Sequence, residues 1–173
     1  MDIELSGAAA IAQQNKKDDK VVRRKIVVAA FAVLQEVGAS RFKVAKVAEK
    51  AGVSNTLLYY YFDGKHALIA AAYAQSYADI LERDLELTRM VFETSDTATE
   101  MYANVITRYA AALQDREMRR RRLDALSAAQ HDPVVAREIT PKQREFTDEL
   151  RSLVIGIRDR GWLPEGLDVE AFM

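Results

Sequence analysis

Apolar residues at 22, 26, 29, 30, 33 and 37 recur at the spacing of one helix face, and Gly38 follows the last of them. The pattern predicts a first helix over 19–37. Val44, Val47, Ala48 and Ala51 repeat the helical period, with Lys43, Lys46, Glu49 and Lys50 on the other side. Gly52 can take the left-handed conformation that ends this helix without a Cβ clash. Val53 is a small apolar plug, and Ser54 is a good N-cap for a third helix over 55–61. Within it, Leu58 and Phe62 are four apart and can face a core. Asn55, Thr56, Leu57, Tyr59, Tyr60 and Tyr61 cannot all be buried in so short an element.

Further along, Asp63 caps a long fourth helix predicted over 64–92. The run Thr94, Ser95, Asp96 and Thr97 interrupts the pattern and offers caps for a fifth helix reaching about residue 114. A sixth spans 116–130. Pro133 opens a seventh running to 160, with a break expected at Thr140–Pro141, because the residue before a proline avoids the helical region. Residues 1–17 are small and polar without an amphipathic period and are expected to form a flexible tail. Three prolines, seven glycines and no cysteine among 173 residues, with abundant Ala, Leu, Glu and Arg, argue for an all-α fold without disulfides or thiolate metal sites. No apolar run approaches a membrane span and no signal-peptide order opens the chain, so a soluble cytoplasmic protein is expected.

Two helices joined at a steep angle through a short glycine-containing turn form the supersecondary unit that places its second helix in the DNA major groove. The residue types suit that task. Asn can bond adenine bidentately, Thr can bond any base edge, and Leu can meet a thymine methyl. A pair of ordinary core helices would carry the same glycine stop, but not three adjacent tyrosines on a partly exposed helix beside a basic one. Charge agrees. Residues 1–66 hold 11 Lys and Arg against 7 Asp and Glu, and residues 67–173 hold 14 against 19. A basic N-terminal third attached to an acidic remainder suits a phosphate-binding domain joined to something else.

The stretch 24–72 resembles the DNA-binding domain of TetR-family (tetracycline repressor-like) transcriptional regulators. The matching residues are Ala29, Phe31, Gly38, Val47, Ala48, Ala51, Gly52, Val53, Ser54, Leu58, Tyr59, Tyr60, Tyr61, Phe62, Lys65 and Leu68. Three positions depart from the family pattern. Lys43 stands where Thr or Ser usually caps the second helix, so that cap is expected from elsewhere. Leu57 replaces a small residue, and Thr56 replaces Gly, Ala or Pro.

The resemblance implies a helix-turn-helix DNA-binding domain over 18–66 and a helical effector-binding and dimerisation domain over 67–173. It also implies two further long helices that pack a dimer. The chain reaches Met173 near where the first would begin, so either the C-terminal end is incomplete or the dimer surface lies elsewhere.

The function expected is sequence-specific binding of double-stranded DNA at a near-palindromic operator by a homodimer, most simply a repressor released by a small-molecule effector. Ser54, Asn55, Thr56, Leu57 and Tyr60 are expected to face bases. Arg41, Lys46, Tyr59, Tyr61 and Lys65 are expected to hold phosphates. A lysine in a helix's first turn opposes the helix dipole, and Lys65 becomes sensible if a phosphate sits at that N-terminus. Lys16, Lys17, Lys20, Arg23, Arg24 and Lys25 read either as a solvated helix start or as an arm reaching phosphate or the minor groove.

In the second domain Tyr73, Tyr77, Tyr102, Tyr109 and Trp162 are candidates for an effector pocket, although each alone reads as ordinary packing. Asp84 interrupts an apolar stretch and is either ligand-facing or exposed. The run Arg119–Arg122 points in every direction. It reads as a solvated helix with acidic partners or as an anion contact.

An enzyme is not expected. The chain has two histidines, no HExxH, no glycine-rich phosphate loop and no nucleophile elbow. No cofactor or metal site is expected, since Asp63 and His66 lack the second pair a di-iron bundle needs. The rival to regulation is a helical protein-interaction module with a weakened DNA-binding unit.

Overall fold

The computed structural model describes residues 2–164, 166 and 168; the side chains of 2–16, 112 and 113 lie outside the described set. Among the described residues the regular elements are all helices: α1 (Asp2–Arg41), α2 (Val44–Ala51), α3 (Asn55–Tyr61), α4 (Gly64–Glu93), α5 (Ala98–Leu113), α6 (Arg116–His131) and α7 (Pro133–Asp159). The chain divides into two compact units, residues 1–72 and 73–173. The boundary lies six residues beyond the one the sequence pattern suggests, because α4 runs through it without interruption.

In the first unit the buried stripe of α1 is Ile26, Val27, Ala29, Ala30, Val33 and Leu34. Val22 and Val37, expected in this stripe, are half-buried. Gly38 interrupts the helix with φ 72° and ψ 168°, a conformation few other residues adopt, and a last turn carries on to Arg41. At the other end, residues 2–17 of the expected flexible tail 1–17 are helical, and Met1 lies outside the described residues. Ala8, Ala9, Ala10 and Ala12 favour helix by intrinsic propensity, which an amphipathic period does not report. Lys17, Lys20, Arg23, Arg24 and Lys25 therefore project from a helix, not an extended arm, and are exposed; Lys16 falls outside the described side chains.

In the second unit α4 to α7 bury Ile80, Leu81, Leu85, Val91, Met101, Ala125, Val135, Ile139 and Val154. Local caps set the corners. The Thr97 hydroxyl accepts from the Glu100 amide at 3.2 Å, and the Glu100 carboxylate accepts from the Asp96 amide at 3.0 Å. Asp115 accepts from Met118 N at 3.0 Å to start α6, and Asp132 accepts from Val134 N at 2.9 Å to start α7.

The break expected at Pro141 does not occur, and α7 continues through it. A proline inside a helix costs about 3 kcal/mol. Here the rest of the helix offsets that cost by burying Val135, Ile139 and Val154.

Candidate nucleic-acid interface and a cavity in the helical unit

The turn between α2 and α3 is built from backbone requirements. Gly52 adopts φ 61° and ψ 42°; its N–H bonds to Glu49 O at 3.0 Å, and Val53 N–H reaches back to Ala48 O at 3.0 Å. These two bonds are the Schellman pair, which satisfies the last carbonyls of α2. Ser54 is extended (φ −74°, ψ 154°), and its hydroxyl accepts from Leu57 N at 3.1 Å, so α3 is capped by the serine the pattern singles out. The start of α2 differs. Lys43 makes no side-chain cap hydrogen bond. Its carbonyl accepts from Lys46 N at 3.1 Å and Val47 N at 3.4 Å.

One residue anchors α3. Leu58 is fully buried and Phe62 follows it into the core, while Leu57 is 36 %, Tyr59 58 % and Tyr60 74 % exposed. Ser54, Asn55 and Thr56 are exposed as well. The five residues expected at base edges thus form one solvent-facing group at the start and outer side of a capped helix. The Arg23 guanidinium lies over the Phe62 ring, 5.0 Å from its centroid, and Tyr60 meets Tyr61 edge to face at 5.1 Å.

The residues expected at phosphates divide. Lys65 and Tyr59 are exposed and make no ion pair or hydrogen bond among the described residues. Arg41 Nε donates to Val37 O at 3.2 Å, which leaves its terminal nitrogens outward. Lys46 lies 3.5 Å from Glu36, whose carboxylate also pairs with Lys50. Those two ammonium groups, Lys50 foremost, hold the Glu36 carboxyl below its usual range. Tyr61 is turned inward. Its hydroxyl donates to Asp19 Oδ1 at 2.6 Å, and that bond, with partial burial and the charge of Asp19, pushes the phenol up to about 12. Pattern reasoning could not find either partner, since Glu36 and Asp19 lie on α1, far away in sequence.

The helical unit holds an open cavity of about 590 Å³ lined from α4, α5 and α6. Leu87, Met90, Tyr109 and Met118 give it an apolar wall, and Arg83, Arg108, Arg119 and Arg122 surround that wall with guanidinium groups. Asp84 lines it too and pairs with Arg122, so both earlier readings of this residue fail in part: it faces a cavity, but its charge is engaged.

Of the five aromatic candidates, Tyr109 lines this cavity, with its hydroxyl against that of Thr88. Tyr77 is buried against Gln143, and burial raises its phenol above the usual value. Tyr73 is half-buried and raised for the same reason. Tyr102 donates to Trp162 O at 3.0 Å, while the Trp162 ring packs edge to face on Phe92. In the arginine run, Arg121 donates to the buried Ser76 hydroxyl at 2.9 and 3.1 Å. The described residues contain no group of three or more potential ligands that could hold a metal ion, and no helix long and apolar enough to cross a membrane.

Residues 26–72 match the family model of bacterial regulatory proteins, tetR family. Comparison with curated protein sequences finds no match. Among solved structures, the chain is similar to the transcriptional regulator FadR from Bacillus subtilis in complex with stearoyl-CoA. There the identity is 23 % and the TM-score 0.58, with 86 % of this chain and 77 % of that one covered. A TetR-family transcriptional regulator from Mesorhizobium loti aligns at 21 % identity and a TM-score of 0.67, covering 83 % and 71 %. The fatty acid degradation regulator FadR from Bacillus halodurans aligns at 18 % identity and 0.60, covering 87 % and 75 %.

Proposed function

We propose that this chain, whose residues 26–72 are a tetR-family domain, is a cytoplasmic, sequence-specific DNA-binding transcriptional regulator that acts as a homodimeric repressor released by a small-molecule effector. The observation that carries the reading is α3 itself. Its N-cap is satisfied, its only buried residue is Leu58, and all five side chains expected at base edges are exposed. Ser54, Asn55, Thr56, Leu57 and Tyr60 read base edges, with Asn55 suited to adenine and Leu57 to a thymine methyl. Lys65, Tyr59 and Arg41 hold phosphates and set register, and Lys46 joins them when it leaves Glu36. A dimer places two recognition helices about 34–36 Å apart, or a multiple, and so reads a near-palindrome.

The cavity in the helical unit is the effector site in this reading, and the B. subtilis regulator solved with stearoyl-CoA supports a ligand-responsive role. α4 carries both Lys65 and the cavity residues Arg83, Asp84, Glu86, Leu87 and Met90. A ligand that prefers one position of α4 changes the spacing of the recognition helices, and it does so only through its differential affinity for the two states.

The test is selection of bound sequences from a random DNA pool at moderate salt. An enriched near-palindrome is the expected result. Absence of any enriched sequence overturns the reading in favour of a helical interaction module.

A further inference from the structure

The charge of the α4–α6 cavity is not balanced. Four guanidinium groups line it against two carboxylates, those of Asp84 and Glu86. Two of the arginines are already engaged with acids. Arg122 pairs with Asp84, and Arg83 Nη1 lies 3.3 Å from Asp115, whose carboxyl is held below its usual range by the Met118 amide and by Arg83.

Arg108 and Arg119 have no carboxylate partner among the described residues. The Arg108 guanidinium donates to a thioether, Met90 Sδ at 3.0 Å, a weak acceptor, so its donors are poorly used. A half-buried guanidinium beside a soft apolar wall, with its fork unfilled, suits a planar or tetrahedral oxyanion, which takes two parallel N–H bonds. The wall has the complementary property. Leu87, Met90, Met118 and the Tyr109 ring are apolar, and the two thioethers adapt to an unbranched chain. Glu86 is the opposing feature. It lines the same cavity, is exposed and makes no ion pair among the described residues, so its charge disfavours an anionic group next to it.

We infer that this cavity binds an anionic amphiphile, with its carboxylate or phosphate head on Arg108 and Arg119 and its alkyl part on Leu87, Met90, Tyr109 and Met118. The inference rests on the reading of the cavity as the effector site and gives that site a ligand class. Arg83 and Arg122 position the walls through Asp115 and Asp84 and are not the head-group contacts.

The test is calorimetric titration of the full chain, without DNA, using octanoate, octyl phosphate, octyl glucoside and octyltrimethylammonium below their micellar concentrations. Saturable binding of octanoate or octyl phosphate, absent for the cationic and weaker for the uncharged chain, is expected; which of the two binds more tightly identifies the head group. The Arg108→Gln/Arg119→Gln pair breaks no ion pair and should weaken that binding roughly tenfold or more, the loss expected for charge-assisted bonds. Glu86→Gln should strengthen it. Equal binding of charged and uncharged chains, unchanged affinity in the double variant, or no saturable binding overturns the assignment. Because no DNA is present, each of these results leaves the DNA-reading assignment of α3 standing, and loss of operator selection leaves the anion site standing.

Discussion

The Tyr61 hydroxyl donates to Asp19 Oδ1 at 2.6 Å and so fastens the end of α3 to α1. The bond belongs to the neutral phenol, which is why this tyrosine is held up to about 12. A group raised on folding contributes stability that is complete below its unfolded pKa, near 10, and vanishes as pH rises through the folded value. The stability difference between the protein and Tyr61→Phe should therefore be constant below about pH 10 and shrink above it. Urea unfolding at a series of alkaline pH values measures this. A difference independent of pH through that window would mean that the bond is not formed in solution.

If α3 reads DNA as proposed, stability and reading should separate along it. Leu58→Ala removes a fully buried side chain and should cost about 3 kcal/mol, visible as a lower denaturation midpoint. Tyr60→Ala removes the most exposed tyrosine of the helix and should leave the midpoint in place while relaxing base preference in a selection assay. Comparable destabilisation by both would remove the distinction between anchor and reader.

Lys65→Ala should weaken binding to all DNA sequences alike and shallow the salt dependence by about one phosphate contact. Asn55→Ala should instead cost about 1–3 kcal/mol at one base position. Competition binding across a salt series distinguishes these outcomes, and unchanged affinity and slope for Lys65→Ala would withdraw its phosphate contact.

Glu36 holds Lys46 and Lys50 together, and its own carboxyl lies below the ordinary range as a result. The sign follows from the depressed value: these pairs stabilise above the unfolded carboxyl pKa and are lost as pH falls through the folded one. Glu36→Gln releases Lys46 near neutral pH. It should raise affinity for unselected DNA at low salt and steepen the salt slope, both readable by fluorescence anisotropy.

Gly52→Ala places a Cβ on a residue at φ 61°, where the nearest side-chain atom is Lys25 Nζ at 3.6 Å. Space is adequate, so the cost is backbone strain, about 1–2 kcal/mol. A denaturation curve indistinguishable from that of the parent would show that the turn tolerates another conformation.

The helix-turn-helix was legible because its signals are local. A glycine after the last apolar position, a serine cap and one buried leucine lie within seven residues, Gly52 to Leu58. The start of α7 was legible for the same reason, from Pro133 in its first turn beside Asp132, whereas the Asp115 cap of α6 was not singled out. What was hidden depends on tertiary neighbours. Tyr61 and Asp19 are 42 residues apart, and Arg122 and Asp84 are 38 apart, so no spacing rule could show which charges are spent. The unit boundary at residue 72 leaves no mark because it falls inside a continuous helix. Pro141 shows the reverse error, a sound local rule overridden by packing on either side of it.

The seven-residue length of α3 has a further consequence. A helix this short is far below the roughly 12–15 residues that hold together alone in water, so its shape is borrowed from the core through Leu58. In the proposed function, the operator is read by exposed residues, Asn55, Thr56 and Tyr60 among them, that the core does not hold. On that reading, substitutions there would rewrite the binding site while the scaffold stays intact, and the protein would change its genomic address without being refolded into a new one.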